Sequence, residues 1–333
     1  MFDLDDHAQD DVDAASGGTP REVTETPGSA DRRYLRGTRV GGGTALVVIS
    51  AIGLFLVVES IPALRSQGWS FFTETRWEPG GNDPRFGVAS LVFGTLQIAF
   101  IGLLLAVPAS IGAALFLTEI APPRLRKPFV TLVDLLASVP SLIFGLWGVF
   151  YMAPRMVGFS SFLSTHLGFI PFFRTENSEL SRSPFIAGLI VAIMVLPICT
   201  SVMREVFAQT PPSEKEAALA LGGTRFGMIR TVVLPFGRGG IIGGSMLGLG
   251  RALGETIAVA IVLGSVSQSS IRILENGGST IASMIALTFG ESSKTTIPAL
   301  MAAGLVLFVI TLVVNLLAAR VVSSSRSGQG VEI

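Results

Sequence analysis

The chain has 333 residues, 49% of them hydrophobic and only 14% charged, and its mean hydropathy is +0.63. That balance belongs to chains dissolved in lipid, not to a water-soluble domain folded around one core. Formal net charge is zero, so no global field draws nucleic acid, and the single cysteine, Cys199, excludes an intrachain disulfide and any cysteine-cluster metal site.

Residues 1–31 are polar, with Asp3, Asp5, Asp6, Asp10, Asp11 and Asp13 crowding the start. Such a segment buries too little apolar area to fold, and it is not a signal peptide, which begins basic and then turns apolar. Arg32, Arg33, Arg36 and Arg39 follow, and then an apolar run from about Gly42 to Ala63. That run makes roughly 33 Å of helix, enough to cross a bilayer, and basic residues before it place the N-terminus in the cytoplasm. We expect a disordered acidic cytoplasmic tail over 1–38 and a first transmembrane helix over 39–66.

Five more spans are expected, from about Val88 to Thr118, Phe129 to Ala153, Phe185 to Met203, Gly239 to Val266 and Ile297 to Val322. The second exceeds a single crossing and holds Pro108, so it should tilt, kink or project. An outer loop covers 67–87, a transmembrane core 88–322, and a cytoplasmic tail 323–333. Arg and Lys are more frequent on the inner side of this topology, and six spans return both termini to the cytoplasm. Trp69, Phe71, Phe72 and Trp77 in the first outer loop, and Phe169, Phe172 and Phe173 in the second, read as interfacial anchors. A docking surface for an external protein is the sharper alternative.

The inner loop over 204–237 holds the most informative polar stretch. Ser213 with Glu216 three residues later reads as a capping box that starts a short helix. Ala217 to Leu221 propagate it, Gly222-Gly223 end it, and a second helix begins near Thr224. Glu216-Ala217-Ala218, Gly222 and Leu234-Pro235 resemble, in identity and spacing, the EAA loop of ABC-importer permeases. In that family the loop docks in a groove of the cytosolic ATPase, which implies coupling roles for Ser213, Glu216, Ala217, Ala218 and Gly222. Without the resemblance, the stretch is an amphipathic cytosolic loop.

In the fifth span Gly240, Gly244 and Gly248 recur every four residues, as do Gly250 and Gly254. Small residues at that spacing let helices approach closely, so this helix should lie mid-bundle. Arg251 and Glu255 stand at i and i+4 on one face within the apolar run. Charge inside a membrane costs at least ~2.5 kcal/mol and faces a bundle interior or a wet cavity. The pair is either a self-neutralising ion pair or an anion site, because a guanidinium presents two-pronged donors to phosphate oxygens. Thr256, Ser245, Ser141 and Thr200 are candidate polar lining, and Pro140-Ser141 mark a kink or a polar route in the third span. Glu119 and Asp134 read as interfacial or paired.

Arg251 to Thr256, together with Ala137 to Gly148, resemble the phosphate-specific permease family of ABC importers, and its PstC branch more than its PstA branch. That resemblance implies an all-α membrane subunit of six spans with the type I (MetI-like) importer fold. It implies phosphate as substrate, with Arg251, Glu255, Thr256 and Ser141 along the path. Implied partners are a second, PstA-like permease, a PstB-like cytosolic ATPase dimer and a PstS-like external phosphate-binding protein. No cofactor is implied, and the chain is expected to be no enzyme itself. None of Lys127, Lys215 or Lys294 follows a glycine, so there is no phosphate-cradling nucleotide loop. Another oxyanion permease, for sulfate or molybdate, and a membrane scaffold or sensor are the competing readings.

Overall fold

The computed structural model describes residues 28–78, 85–176, 180–264, 271–293 and 296–323. It divides into two units, Met1–Ile52 and Gly53–Ile333. In the first unit the described chain is the opening of helix α1 (Ser29–Gln67). The Gly28 N–H donates to Asp31 Oδ2 at 3.1 Å at its start. The tail expected over 1–38 therefore lies outside the described residues up to position 27, and beyond that point it needs correction. Arg32, Arg33 and Arg36 belong to α1, which runs through Gly37 and Gly41 to Gly43 with no proline to stop it before the apolar run.

In the second unit α1 runs on to Gln67 and is followed by α2 (Ser70–Thr73) and a small antiparallel ribbon. The ribbon pairs β1 (Trp77–Glu78) with β2 (Arg85–Phe86), setting Trp77 opposite Phe86. Helix α3 (Ala89–Leu115) continues through a π-helical turn, Phe116–Ile120. Next come α4 (Pro123–Ser138), α5 (Ser141–Trp147), a second π turn (Gly148–Met152) and α6 (Ala153–Leu167). After α7 (Pro184–Ala208), the short α8 (Pro212–Ala220) and α9 (Arg225–Met228) lead through a third π turn, Ile229–Val233, to α10 (Leu234–Phe236). Helices α11 (Arg238–Leu253), α12 (Ile257–Leu263), α13 (Ile281–Thr288) and α14 (Thr296–Ser323) complete the chain.

Asp31–Gln67, Ala89–Ile120, Ser141–Leu167, Pro184–Ala208 and Thr296–Arg320 are long and apolar enough to cross a bilayer. A bent pair, Arg225–Phe236 and Arg238–Leu253, meeting at 64°, meets the same length and composition criterion only when the two helices are taken together. The bend falls at Gly237, where a Cβ would lie 2.2 Å from the Phe207 ring.

The middle of the bundle is α7, which packs on α3, α4, α11 and α12. Its start is written locally: Pro184 takes the first helical position and the Ser183 Oγ accepts from the Ile186 N–H at 3.4 Å. Ile186, Ile190, Val191, Met194, Val195, Cys199, Met203 and Phe207 are fully buried around it. The fifth span, expected mid-bundle with neighbours on more than one side, packs as α11 on α7, α3 and α14. Its glycines behave as expected on the α7 side: a Cβ at Gly240 would lie 2.5 Å from Val206 Cβ, and one at Gly248 would lie 2.5 Å from Cys199 Sγ. Gly250 and Gly254 meet no atom of another helix closer than 3.9 Å, so that second repeat does not seat a neighbour.

The third span, expected over 129–153, is displaced toward the C-terminus. Helix α4 stops at Ser138, Val139 and Pro140 are extended, and the crossing helix begins at Ser141. A residue before proline is pushed out of the helical region, so Pro140 divides two helices and does not kink one. Helix α4 buries no residue in this chain; its apolar side, with Leu125, Phe129, Leu132 and Leu136, is exposed.

The aromatics of the first outer loop separate into two sets. Phe71 and Trp77, 0% and 4% exposed, form a small core with Phe86, Leu91, Ile281 and Leu300. They are not interfacial anchors, since the ribbon and α2 fold over them. Trp69, 84% exposed, and Phe72 remain free to anchor. The connection between α12 and α14 also holds an unexpected element, α13. Thr280 and Ser283 form its capping box, and the Ile281 N–H donates to Thr95 Oγ1 of α3 at 3.0 Å.

Candidate functional site

Two places hold the polar groups singled out in the sequence. The first is the loop from α8 to α10. Helix α8 begins one residue before the expected capping box. Pro211 is extended and Pro212 takes the first helical position, so Ser213 falls inside the helix and no side chain caps it. The other end is as expected. Gly222 adopts φ +83°, the Gly223 N–H donates to Ala218 O at 3.2 Å and the Gly222 N–H donates to Leu219 O at 3.0 Å. This pair of crossed bonds satisfies the terminal carbonyls of α8. Thr224 then caps α9 through a 3.1 Å bond accepted from the Gly227 N–H.

Glu216 and Ala217 are exposed, whereas Ala218 packs against the main core. Beyond the helix, Leu221 and Phe226 stand 89% and 73% exposed. The sequence showed the glutamate and alanines but not how α8 is anchored. Lys215 Nζ donates to Glu119 Oε1 at 2.6 Å, tying α8 to the π turn after α3. Glu119 is paired, as expected; Asp134 is exposed on α4.

The second place is the break in the fifth span. Helix α11 ends at Leu253, Gly254 adopts φ −91° and ψ 0°, and α12 restarts at Ile257. Arg251 and Glu255 therefore do not share one face of a continuous helix. Among the described residues no ion pair joins them, which overturns the self-neutralising reading. Glu255, 7% exposed, accepts the Ala258 N–H at 3.1 Å and so caps α12, where the helix dipole favours an anion. Thr256 Oγ1 donates to Gly254 O at 2.9 Å and closes the break.

Arg251 is half-buried, and its Nε lies buried with no hydrogen-bond partner. It lines a cleft of about 460 Å³ with Ile198, Met246, Leu247, Thr311 and Asn315. A guanidinium donor held without an acceptor in an apolar wall is suited to an oxyanion. Asn315 was missed, although it is a lone amide inside an apolar run of α14.

The other lining candidates are dispersed. Ser245 bonds back to Ile241 O at 2.7 Å within its own helix, and Thr200 is fully buried with its hydroxyl unpartnered. Ser141 opens α5, whose Gly145 lets α12 approach so closely that a Cβ there would lie 2.9 Å from Ala258 Cα. No hydrogen bond links Ser141 to Arg251, Glu255 or Thr256 among the described residues.

A family model described as "Binding-protein-dependent transport system inner membrane component" matches residues 106–327. The phosphate transport system permease protein PstC 2 of Mycobacterium bovis is 43% identical over 301 residues, covering 89% of this chain and 92% of that one. The PstC protein of Mycobacterium leprae is 45% identical over 278 residues, covering 82% and 86%. Among solved structures, a chain of a bacterial alginate ABC transporter, in complex with its alginate pentasaccharide-bound periplasmic protein, aligns at TM-score 0.56 and 18% identity. That alignment covers 88% of this chain and 98% of the other, and it supports the permease fold. The chain belongs to the binding-protein-dependent transport system inner membrane components, on the branch of the phosphate transport system permeases, and is a multi-pass membrane permease subunit.

Proposed function

We propose that this chain is the phosphate-conducting permease of an ATP-driven importer. The observation that carries the reading is Arg251: an unpartnered, half-buried guanidinium beside a break in the fifth span, in a chain 43% identical over 301 residues to a phosphate permease. Phosphate released on the outer side crosses past Arg251, whose planar donors hold two of its oxygens. Glu255 fixes the backbone break that presents Arg251, and Thr256 and Ser141 are the secondary polar groups of the path.

Transport proceeds by alternating access. Closure of a PstB-like ATPase dimer displaces α8 through Ser213, Glu216, Ala217 and Ala218, with Gly222 fixing the end of that helix. The Lys215–Glu119 tie passes the movement to the π turn after α3, and the seating of Ala218 passes it to the main core. A PstA-like second permease completes the pore and a PstS-like external protein delivers phosphate. The basic residues before the first span support cytoplasmic termini.

The test is Arg251→Gln in the full complex reconstituted in vesicles. Loss of a charged hydrogen bond to the passing anion lowers phosphate uptake by about tenfold or more while the complex still assembles. Unchanged uptake removes Arg251 from the path. Sulfate and molybdate added as competitors in the same assay should leave uptake unaffected.

A further inference from the structure

We infer that the cleft lined by α8 and the adjoining ends of α3, α4 and α7 is a second anion site, fitted to tetrahedral oxyanions such as phosphoryl groups. Its placement on the ATPase-facing side rests on the importer reading above; its existence rests on the geometry. The cleft measures about 200 Å³, several times the ~30 Å³ share of a liquid water, which is room for a tetrahedral oxyanion. Its walls carry the cations Arg126, Arg204 and Lys215 and the single carboxylate Glu119.

The charges do not balance. Glu119 is used by Lys215 at 2.6 Å. Arg126 donates through Nη2 to the neutral Thr118 carbonyl at 2.6 Å, which satisfies one donor and neutralises nothing. Arg204, half-buried at the end of α7, has no hydrogen-bond or ion-pair partner among the described residues. The half-buried Arg204 charge thus stands uncompensated beside Val130 and Ala208, and Arg126, exposed on α4, brings a second guanidinium to the rim of the cleft. A half-buried cation without an acceptor is unfavourable, and a visiting anion relieves it. Two planar forks facing one cleft suit phosphoryl oxygens better than a lone chloride.

The site has a consequence for coupling. Lys215 lies on α8, so an oxyanion in the cleft competes with Glu119 for its ammonium. Occupancy loosens the tie between α8 and α3, and phosphate accumulated on that side slows the importer. The same chemistry is offered by free phosphate and by the headgroup of an anionic phospholipid.

The experiment measures equilibrium binding of radiolabelled inorganic phosphate to the purified permease–ATPase complex. Nucleotide and binding protein are absent, and discs of neutral phosphatidylcholine or of phosphatidylglycerol hold the complex. Arg204→Gln and, independently, Arg126→Gln are expected to weaken binding by about tenfold each, as loss of a charge-assisted contact should, with Arg204→Lys restoring most of it. Arg251→Gln should leave the Arg204-dependent binding in place. Phosphatidylglycerol that displaces phosphate in the wild type but not in Arg204→Gln identifies a headgroup as occupant of the same site. Binding unchanged in both Arg204→Gln and Arg126→Gln overturns the proposal. So does detachment of the ATPase from Arg204→Gln with phosphate binding intact, which would make Arg204 a contact for an acidic ATPase surface. Binding abolished by Arg251→Gln alone would sink this site and leave the importer reading standing. Arg204-dependent binding in a complex that imports no phosphate would do the reverse.

Discussion

Gly222 offers the cleanest perturbation of the coupling surface, because backbone conformation alone is at stake. It adopts φ +83°, and a Cβ built there meets nothing within 4 Å. Crowding therefore drops out. An L residue in the left-handed region costs ~1–2 kcal/mol, offset by ~0.4–1 kcal/mol from the narrower unfolded ensemble of a non-glycine residue. Gly222→Ala should thus destabilise the end of α8 by about 1 kcal/mol, a change of about fivefold in its local closed-to-open ratio. Asparagine tolerates the left-handed region, so Gly222→Asn should be close to neutral, and β-branched Gly222→Val should be worst. Hydrogen exchange at the Leu221 and Gly223 amides of the intact complex, read beside ATP hydrolysed per phosphate carried, gives the order glycine, asparagine, alanine, valine. Gly223→Ala is a steric contrast, since its Cβ would lie 2.5 Å from Ala218 O, the acceptor of its own N–H. Equal damage from asparagine and valine, or silence from valine, would refute the conformational argument.

Two other expectations concern the loops expected on the outer side. Phe71→Ala empties a fully buried position and should cost ~3–5 kcal/mol in thermal unfolding, whereas Trp69→Ala at an exposed position should stay within ~0.5 kcal/mol. Similar losses at both would return Phe71 to the interfacial role. Arg272 donates to Glu176 and holds its carboxyl below the ordinary carboxylate range. A depressed folded value means that this contact is intact above the ordinary pKa and is lost as pH falls through the depressed one. Arg272→Gln should therefore move the Glu176 titration, followed by carboxyl NMR, up toward the ordinary value; coincident midpoints would remove Arg272 as the cause.

Much of the site was legible because its signals are local. The Gly222-Gly223 stop and the Thr224 cap are choices of backbone conformation made by one or two residues, and both appear where the sequence put them. The same locality misled at Ser213, where the proline before it took the helix start. Arg251 is conspicuous as a cation in an apolar run, but the spacing alone left an ion pair with Glu255 open as an alternative to an anion site. Gly254 breaks the helix between them, and Glu255 turns to cap the next one.

Composition and apolar run lengths determined by themselves that the chain is helical and crosses a membrane, since lipid leaves the backbone no other way to satisfy its polar groups over such lengths. Glycine spacing likewise marked the face of α11 that meets a neighbour. Which helix lies at the centre, which aromatics are covered, and how α8 is tied to α3 came only from the tertiary structure. Those depend on contacts between residues far apart in the chain, such as Lys215 with Glu119, Cys199 against Gly248 and Thr95 with Ile281. No local pattern encodes such a meeting, because the burial that rewards it exists only once the helices are packed.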